Sequence, residues 1–150
     1  TPVPSWSRGS GRGAFFSGRF SGKGGASMRG EAERWLRRAL EDLDAAFSLE
    51  ASRHPDVLAF LAQQAVEKAL KAVWVQLGLL PPRTHDLAYL WEEVEDKVKA
   101  SLNPDHLDFL TRFGVQARYP DLEVLPEEAR EALSLAQVLV AELRRWLHDR

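Results

Sequence analysis

AQQAVEKALKAVWVQLG, residues 62–78, is the stretch from which the rest of the chain can be read. Ala62, Ala65, Val66, Ala69, Val73 and Leu77 recur at intervals of three and four, with Leu58 one turn ahead. That spacing makes one apolar stripe of a helix over roughly residues 56–77. His54-Pro55 breaks the chain before it, because the proline ring cannot continue a helix and restricts the residue that precedes it. Gly78 is a natural C-terminal stop, and Pro81-Pro82 prevents continuation. The polar side carries Gln63, Gln64, Glu67, Lys68 and Lys71. Glu67 and Lys71 are an i,i+4 pair in the favourable order, worth about 0.2–0.5 kcal/mol on an exposed helix. By spacing alone these residues read as a solvated helix face. Lys68 and Lys71 sit one turn apart and could together hold a phosphate.

Working outward, Leu36, Leu40, Leu43 and Phe47 mark a first helix over about 31–48. After Pro82, the turn THDL (84–87) opens a third helix, with Thr84 as the expected N-cap and Asp86 favourable near the positive helix end. Its buried stripe is Leu87, Leu90, Trp91, Val94 and Val98. Asn103-Pro104 reads as N-cap plus first helical residue of a fourth helix, about 104–117. An irregular loop follows at 118–125. Pro126 then starts a fifth helix to about 148, with Ala129, Leu133, Ala136, Val140, Leu143 and Leu147 on one stripe. No alternating strand pattern and no internal repeat occur. The expectation is an all-α, up-down bundle of four to five helices. Trp74 and Val75 lie off the helix 2 stripe, and Val138 lies nearly opposite Val140. Such second apolar faces are commonly covered in a dimer, so a homodimer is expected.

The 150 residues suffice for one domain with its own core. Residues 31–150 are expected to form it. Residues 1–30 are a basic leader rich in Gly, Ser and Arg, too poor in periodic apolar residues to offset its ordering entropy, and expected to be disordered. The single methionine, Met28, stands where that leader ends, as it would behind a misplaced start or an added leader. An RGG-like RNA-binding tail is the other reading of GRGAFFSGRFSGKGG. The absence of cysteine excludes disulfides, zinc–thiolate sites and a cysteine nucleophile. No run approaches the ~20 apolar residues of a membrane helix, and no signal-peptide core is present, so the expected compartment is the cytoplasm.

The net charge of −2 conceals an asymmetry. Residues 1–30 hold five basic residues and no acid, while residues 31–150 hold 15 basic and 22 acidic residues, a net of −7. An acidic domain is a poor non-specific binder of phosphate backbones, so any nucleic-acid contact needs a local basic patch. His54, His106 and His148 offer no i,i+4 pair of metal-ligand type, and neither a metal nor a cofactor is expected. A phosphate-cradling glycine loop and a GxSxG elbow are both missing.

Two polar turns remain. His85 neighbours Asp86, but adjacent helical residues do not face each other, so Asp86 is expected to cap while His85 points elsewhere. In ARYPD (117–121), Arg118 can bond terminal carbonyls or act as a planar anion fork, Tyr119 can stack or offer its hydroxyl, and Asp121 can cap a turn.

Taken together and in this order, AQQAVEKALKAVWVQLG, THDL and ARYPD resemble the HEPN family of small helical proteins, over roughly residues 31–148. The resemblance implies a dimeric four- or five-helix bundle with a polar cleft for a nucleotide or RNA. It also implies a minimal nucleotidyltransferase partner in a toxin–antitoxin-like pair. Carried over, the cleft is built from Gln64, Lys68 and Lys71, from His85 and Asp86, and from Arg118, Tyr119 and Asp121. RNase-active branches of the family share an arginine, four to six residues, then histidine. None of the four histidines here has an arginine at that distance, and Glu123, Val124 and Leu125 follow Arg118 where the histidine would stand. Cleavage by that motif needs histidine for proton transfer and arginine for the phosphate charge. Binding is therefore expected rather than catalysis, with no catalytic residue assigned. The alternatives are an endoribonuclease toxin in which His85 takes over proton transfer, and a structural subunit that docks a nucleotidyltransferase.

Overall fold

The computed structural model describes residues 25–116, 119, 121 and 123–149, with side chains described from residue 29 on and not at residue 116. Five α-helices follow one another: α1 (Gly25–Phe47), α2 (Pro55–Gln76), α3 (Leu87–Glu92), α4 (Pro104–Gln116) and α5 (Pro126–His148). A short 3-10 turn, Glu95–Lys97, follows α3. There is no strand among the described residues, and the architecture is an all-α bundle.

The central element is α2. It packs most extensively against α1 and α5, and also touches α4 and α3. A helix surrounded in this way is buried over most of its circumference. Accordingly the buried set of α2 includes Leu58, Ala62, Ala65, Val66, Ala69, Val73 and Val75, and also Gln63, Glu67 and Lys71. Small residues supply most of the contact: Ala39, Ala59, Ala62, Ala65, Ala69, Ala132 and Ala136 are fully buried. They let backbones approach while Trp91, Phe113, Leu107, Leu110 and Leu143 fill the core.

Helix ends follow local chemistry. Gly78 adopts a positive φ of 81°, and two bonds, Leu79 N–H to Trp74 C=O and Gly78 N–H to Val75 C=O, close α2 in a Schellman motif. Asn103 Oδ1 accepts from Asp105 N–H (2.9 Å), opening α4 as expected. At the start of α5, Glu128 reaches back to Leu125 N–H (3.0 Å) and also takes Arg112 of α4 (2.6 Å). The Arg112 guanidinium in turn lies over the Phe109 and Phe113 rings.

Several expectations are corrected. α1 begins at Gly25, inside the segment expected to be disordered; residues 1–24 of that leader lie outside the described residues. Phe47, assigned to the α1 stripe, is exposed, and Ala39 and Ala46 take the buried positions. Of the supposed second face, Val75 is buried and Trp74 is half-buried, its indole N–H donating to Leu90 C=O (2.8 Å). Trp74 is thus held against α3 within the chain. Val138 alone of that set is exposed. Among the described residues no helix is long and apolar enough to cross a membrane.

Candidate functional site

Because α2 is enclosed, the polar residues along one of its edges are carried below the surface. A buried carboxylate has to be paired, since desolvation of an isolated charge is prohibitive. Glu67, only 4% exposed, meets that requirement fully. Its Oε1 accepts from Gln63 Nε2 (3.0 Å), Gln64 Nε2 (3.2 Å) and His85 Nδ1 (2.9 Å), and its Oε2 accepts from Lys71 Nζ (3.0 Å). Gln63 uses its second amide hydrogen on the His85 carbonyl (3.3 Å), and Gln64 Nε2 donates to Gln63 Oε1 (2.7 Å). Burial by itself raises the Glu67 carboxyl pKa; the bonds from His85 and Gln63 and the Lys71 charge outweigh burial and hold it below the usual glutamate range. Glu67 is thus an anion, and an acceptor on both oxygens.

That charge state dictates the imidazole. His85 must place a proton on Nδ1 to donate to Glu67, which leaves Nε2 at the far end of the ring as acceptor when neutral and donor when protonated. The His85 side chain is 47% exposed. A buried acid therefore orients a ring that reaches the surface.

The turn carrying His85 is held from two sides. Gln63 grips the His85 carbonyl from α2, while Thr111 Oγ1 on α4 accepts from Leu87 N–H (3.0 Å) and donates to Leu107 C=O (2.8 Å). α4 comes so near that a Cβ on Gly114 would lie 2.9 Å from Gln63 Cδ and 3.1 Å from its amide N and O atoms. Only glycine leaves Gln63 its place. Asp86 is the true N-cap of α3, accepting from Tyr89 N–H (3.3 Å), and Thr84 Oγ1 accepts from Asp86 N–H (3.1 Å). This corrects the assignment of Thr84 as cap; α3 starts two residues later than a Thr84 cap implies.

Of the residues singled out from sequence, Gln64, Lys71 and His85 converge on Glu67. Lys68 does not: it pairs with Asp42 on α1 (2.6 Å), so the two lysines do not share one phosphate position. Asp86 caps, as expected. Tyr119 and Asp121 are exposed, and no contact among the described residues joins either to Glu67. Arg118 lies outside the described residues. The expectation of a solvated Glu67–Lys71 face is corrected, because both side chains are buried, with the His85 turn against Glu67 and Trp35 of α1 beside Lys71. Sequence reasoning passed over Gln63, Glu67 and Gly114 as site residues, and also Trp35, whose ring lies under Lys71 (5.8 Å to its centroid). The WLRR run at 35–38 was the available signal for the last of these. Among the described residues no group of three or more acidic, histidine or cysteine side chains could hold a metal ion.

Comparison with known proteins bears on the same elements. A crystal structure of TT1696 from Thermus thermophilus is similar, with a TM-score of 0.68 and 27% identity, covering 76% of this chain and 96% of that one. A search of curated proteins returns no match. The HEPN domain profile matches residues 32–146, a span that begins in α1, ends in α5 and contains every residue of the Glu67 cluster. The chain belongs to the HEPN domain family.

Proposed function

We propose that this HEPN domain is a binding module for a nucleotide or for RNA phosphate, acting as a homodimer beside a minimal nucleotidyltransferase in a toxin–antitoxin-like pair. The observation that carries the reading is the half-exposed His85 imidazole held by the buried Glu67 carboxylate, with Lys71 on the other carboxylate oxygen. Such an arrangement is preorganised: ring tautomer and direction are fixed before any ligand arrives, so little ordering cost remains on binding. A protonated Nε2 donates to a phosphate oxygen, and Arg118 supplies a second, planar donor in this proposal. Tyr119 would stack or hydrogen-bond, and Asp86 and Asp121 would position the turn and loop.

The test is thermal stabilisation of the full chain across a panel of nucleotides and short RNAs. At least one ligand should raise the midpoint of wild type and fail to raise that of His85→Ala or Arg118→Ala. A flat response across the panel would sink the binding reading. A solution mass of 16.9 kDa would remove the dimer alone.

The Glu67–His85 pair also favours a second reading, the endoribonuclease, because a carboxylate-oriented imidazole is the usual form of a general base. Nε2 would take the proton from a ribose 2′-hydroxyl as that oxygen attacks the adjacent phosphorus; the P–O5′ bond breaks, the 5′-oxygen leaves with a proton from water, and a 2′,3′-cyclic phosphate remains. RNA cleavage abolished in His85→Ala would support this reading, and intact RNA after prolonged incubation with wild type would remove it.

A further inference from the structure

α3 is six residues long, too short to hold itself in place. Its first backbone amides have no partner inside the helix and must be satisfied from elsewhere. Asp86 takes the Tyr89 N–H. The Leu87 N–H goes to another element: it donates to the Thr111 hydroxyl of α4 (3.0 Å), whose own proton is committed to Leu107 C=O (2.8 Å). Two residues earlier, the His85 carbonyl accepts from Gln63 Nε2 of α2 (3.3 Å). Gly114, one turn beyond Thr111 on the same side of α4, gives that Gln63 amide its room. The backbone that carries the imidazole is therefore pinned on both flanks, and α4 has a part in each.

The imidazole depends on that pinning because Glu67 does not depend on the imidazole. Without His85, the carboxylate still accepts from Gln63, Gln64 and Lys71, so it has no need to draw the ring in. The position of the turn keeps the ring there. A shift of about 1 Å in the turn carries the 2.9 Å contact between His85 and Glu67 out of hydrogen-bond range, and a ring without that acceptor exchanges between its two tautomers. We infer that Thr111 is a positioning residue for the site: its hydroxyl, acting from α4 through the Leu87 amide, sets the direction of the His85 ring and its Nδ1-protonated form. The inference rests on the binding reading above and adds to it the residue that aims the ring. Valine has the shape of threonine without the acceptor, so in its place the Leu87 N–H loses its partner and the turn is released from α4.

The experiment reads the two ring nitrogens of His85 by long-range 1H–15N NMR on the full chain, at about pH 9, where an ordinary imidazole is uncharged. AMP affinity is measured beside it by calorimetry. Wild type should show one tautomer, with Nδ1 protonated. Thr111→Val and Thr111→Ala should show both tautomers and lose roughly fivefold or more in AMP affinity, in proportion to the fraction of correctly held rings. Thr111→Ser, which keeps the oxygen, should restore the single tautomer and return AMP affinity to within about twofold of wild type. The His54 and His148 ring signals should stay in place throughout. If the valine and alanine variants keep the wild-type tautomer, Thr111 does not position the ring, and the His85 binding reading stands. A serine variant that behaves like valine also overturns the assignment, because the hydroxyl is then not the operative group. So does a loss that spreads to His54 and His148 in both the valine and alanine variants, since Thr111 would then hold the whole fold rather than the turn. Free tautomer exchange in wild type would sink the Glu67-held ring and Thr111 with it. If wild type binds no AMP, the binding reading loses that ligand, and the tautomers alone decide for or against Thr111.

Discussion

Glu67 is the residue on which the site depends, and its charge is expected to be visible in stability. Replacing it by glutamine leaves the Lys71 ammonium buried without an anion. Stranding one partner of a buried pair costs about 3 kcal/mol, which corresponds to a fall in Tm of roughly 10 °C for a domain of this size. The pH dependence has a definite sign. The folded-state carboxyl lies below its ordinary value, so the contribution is fully present above about pH 4.3 and is lost as pH falls through the lowered folded-state value. The stability gap between wild type and Glu67→Gln should therefore be full at pH 7 and close on acidification below that range. A gap that stays constant to pH 3 in thermal melts would show that the charge on Glu67 is not what matters. In the sequence, Glu67 reads as one half of a surface ion pair. Its spacing to Lys71 is the same whether the face is wet or dry, and only the tertiary packing of α2 decides which. The cap of α3 is ambiguous in the sequence for a related reason: Thr84 and Asp86 are both good caps two residues apart, and the bond from Tyr89 N–H to Asp86 chooses between them.

At the scale of elements, the stripes of α2, α3 and α5 were legible because apolar periodicity survives packing, and Gly78, Asn103 and Pro126 marked ends that the structure keeps. What could not be read was the approach of one helix to another. Gly114 on α4 shows no sequence reason to be glycine; in a helix interior, alanine is better by about 1 kcal/mol. Its reason is Gln63, whose amide sits within 3.1 Å of where a Cβ would be and is fixed by Glu67 and the His85 carbonyl. Overpacking a fixed buried group costs about 1–3 kcal/mol, which exceeds the propensity gain. Gly114→Ala should then destabilise by about 1 kcal/mol, measured by urea unfolding, and weaken ligand binding by shifting the His85 turn. An alanine variant more stable than wild type would mean that Gln63 moves freely.

For the molecule as a whole, an acidic bundle holds an oriented imidazole against a buried carboxylate of its central helix. The family, the helix order and the absence of strands among the described residues agree with the fold expected from three short motifs. Of the side chains the motifs singled out, Gln64, Lys71 and His85 meet at Glu67 while Lys68 pairs with Asp42, and Trp35 was hidden in a helix read for its leucines alone. The central claim is that ligand phosphate is bound at His85. It is tested most directly by recording the ring Cε1–H signals of the four histidines by NMR during titration with AMP and with a uridylate octamer. The account predicts a saturable shift of the His85 signal, absent in His85→Ala, while His54, His106 and His148 stay in place. A His85 signal that does not move while either ligand binds elsewhere would contradict it.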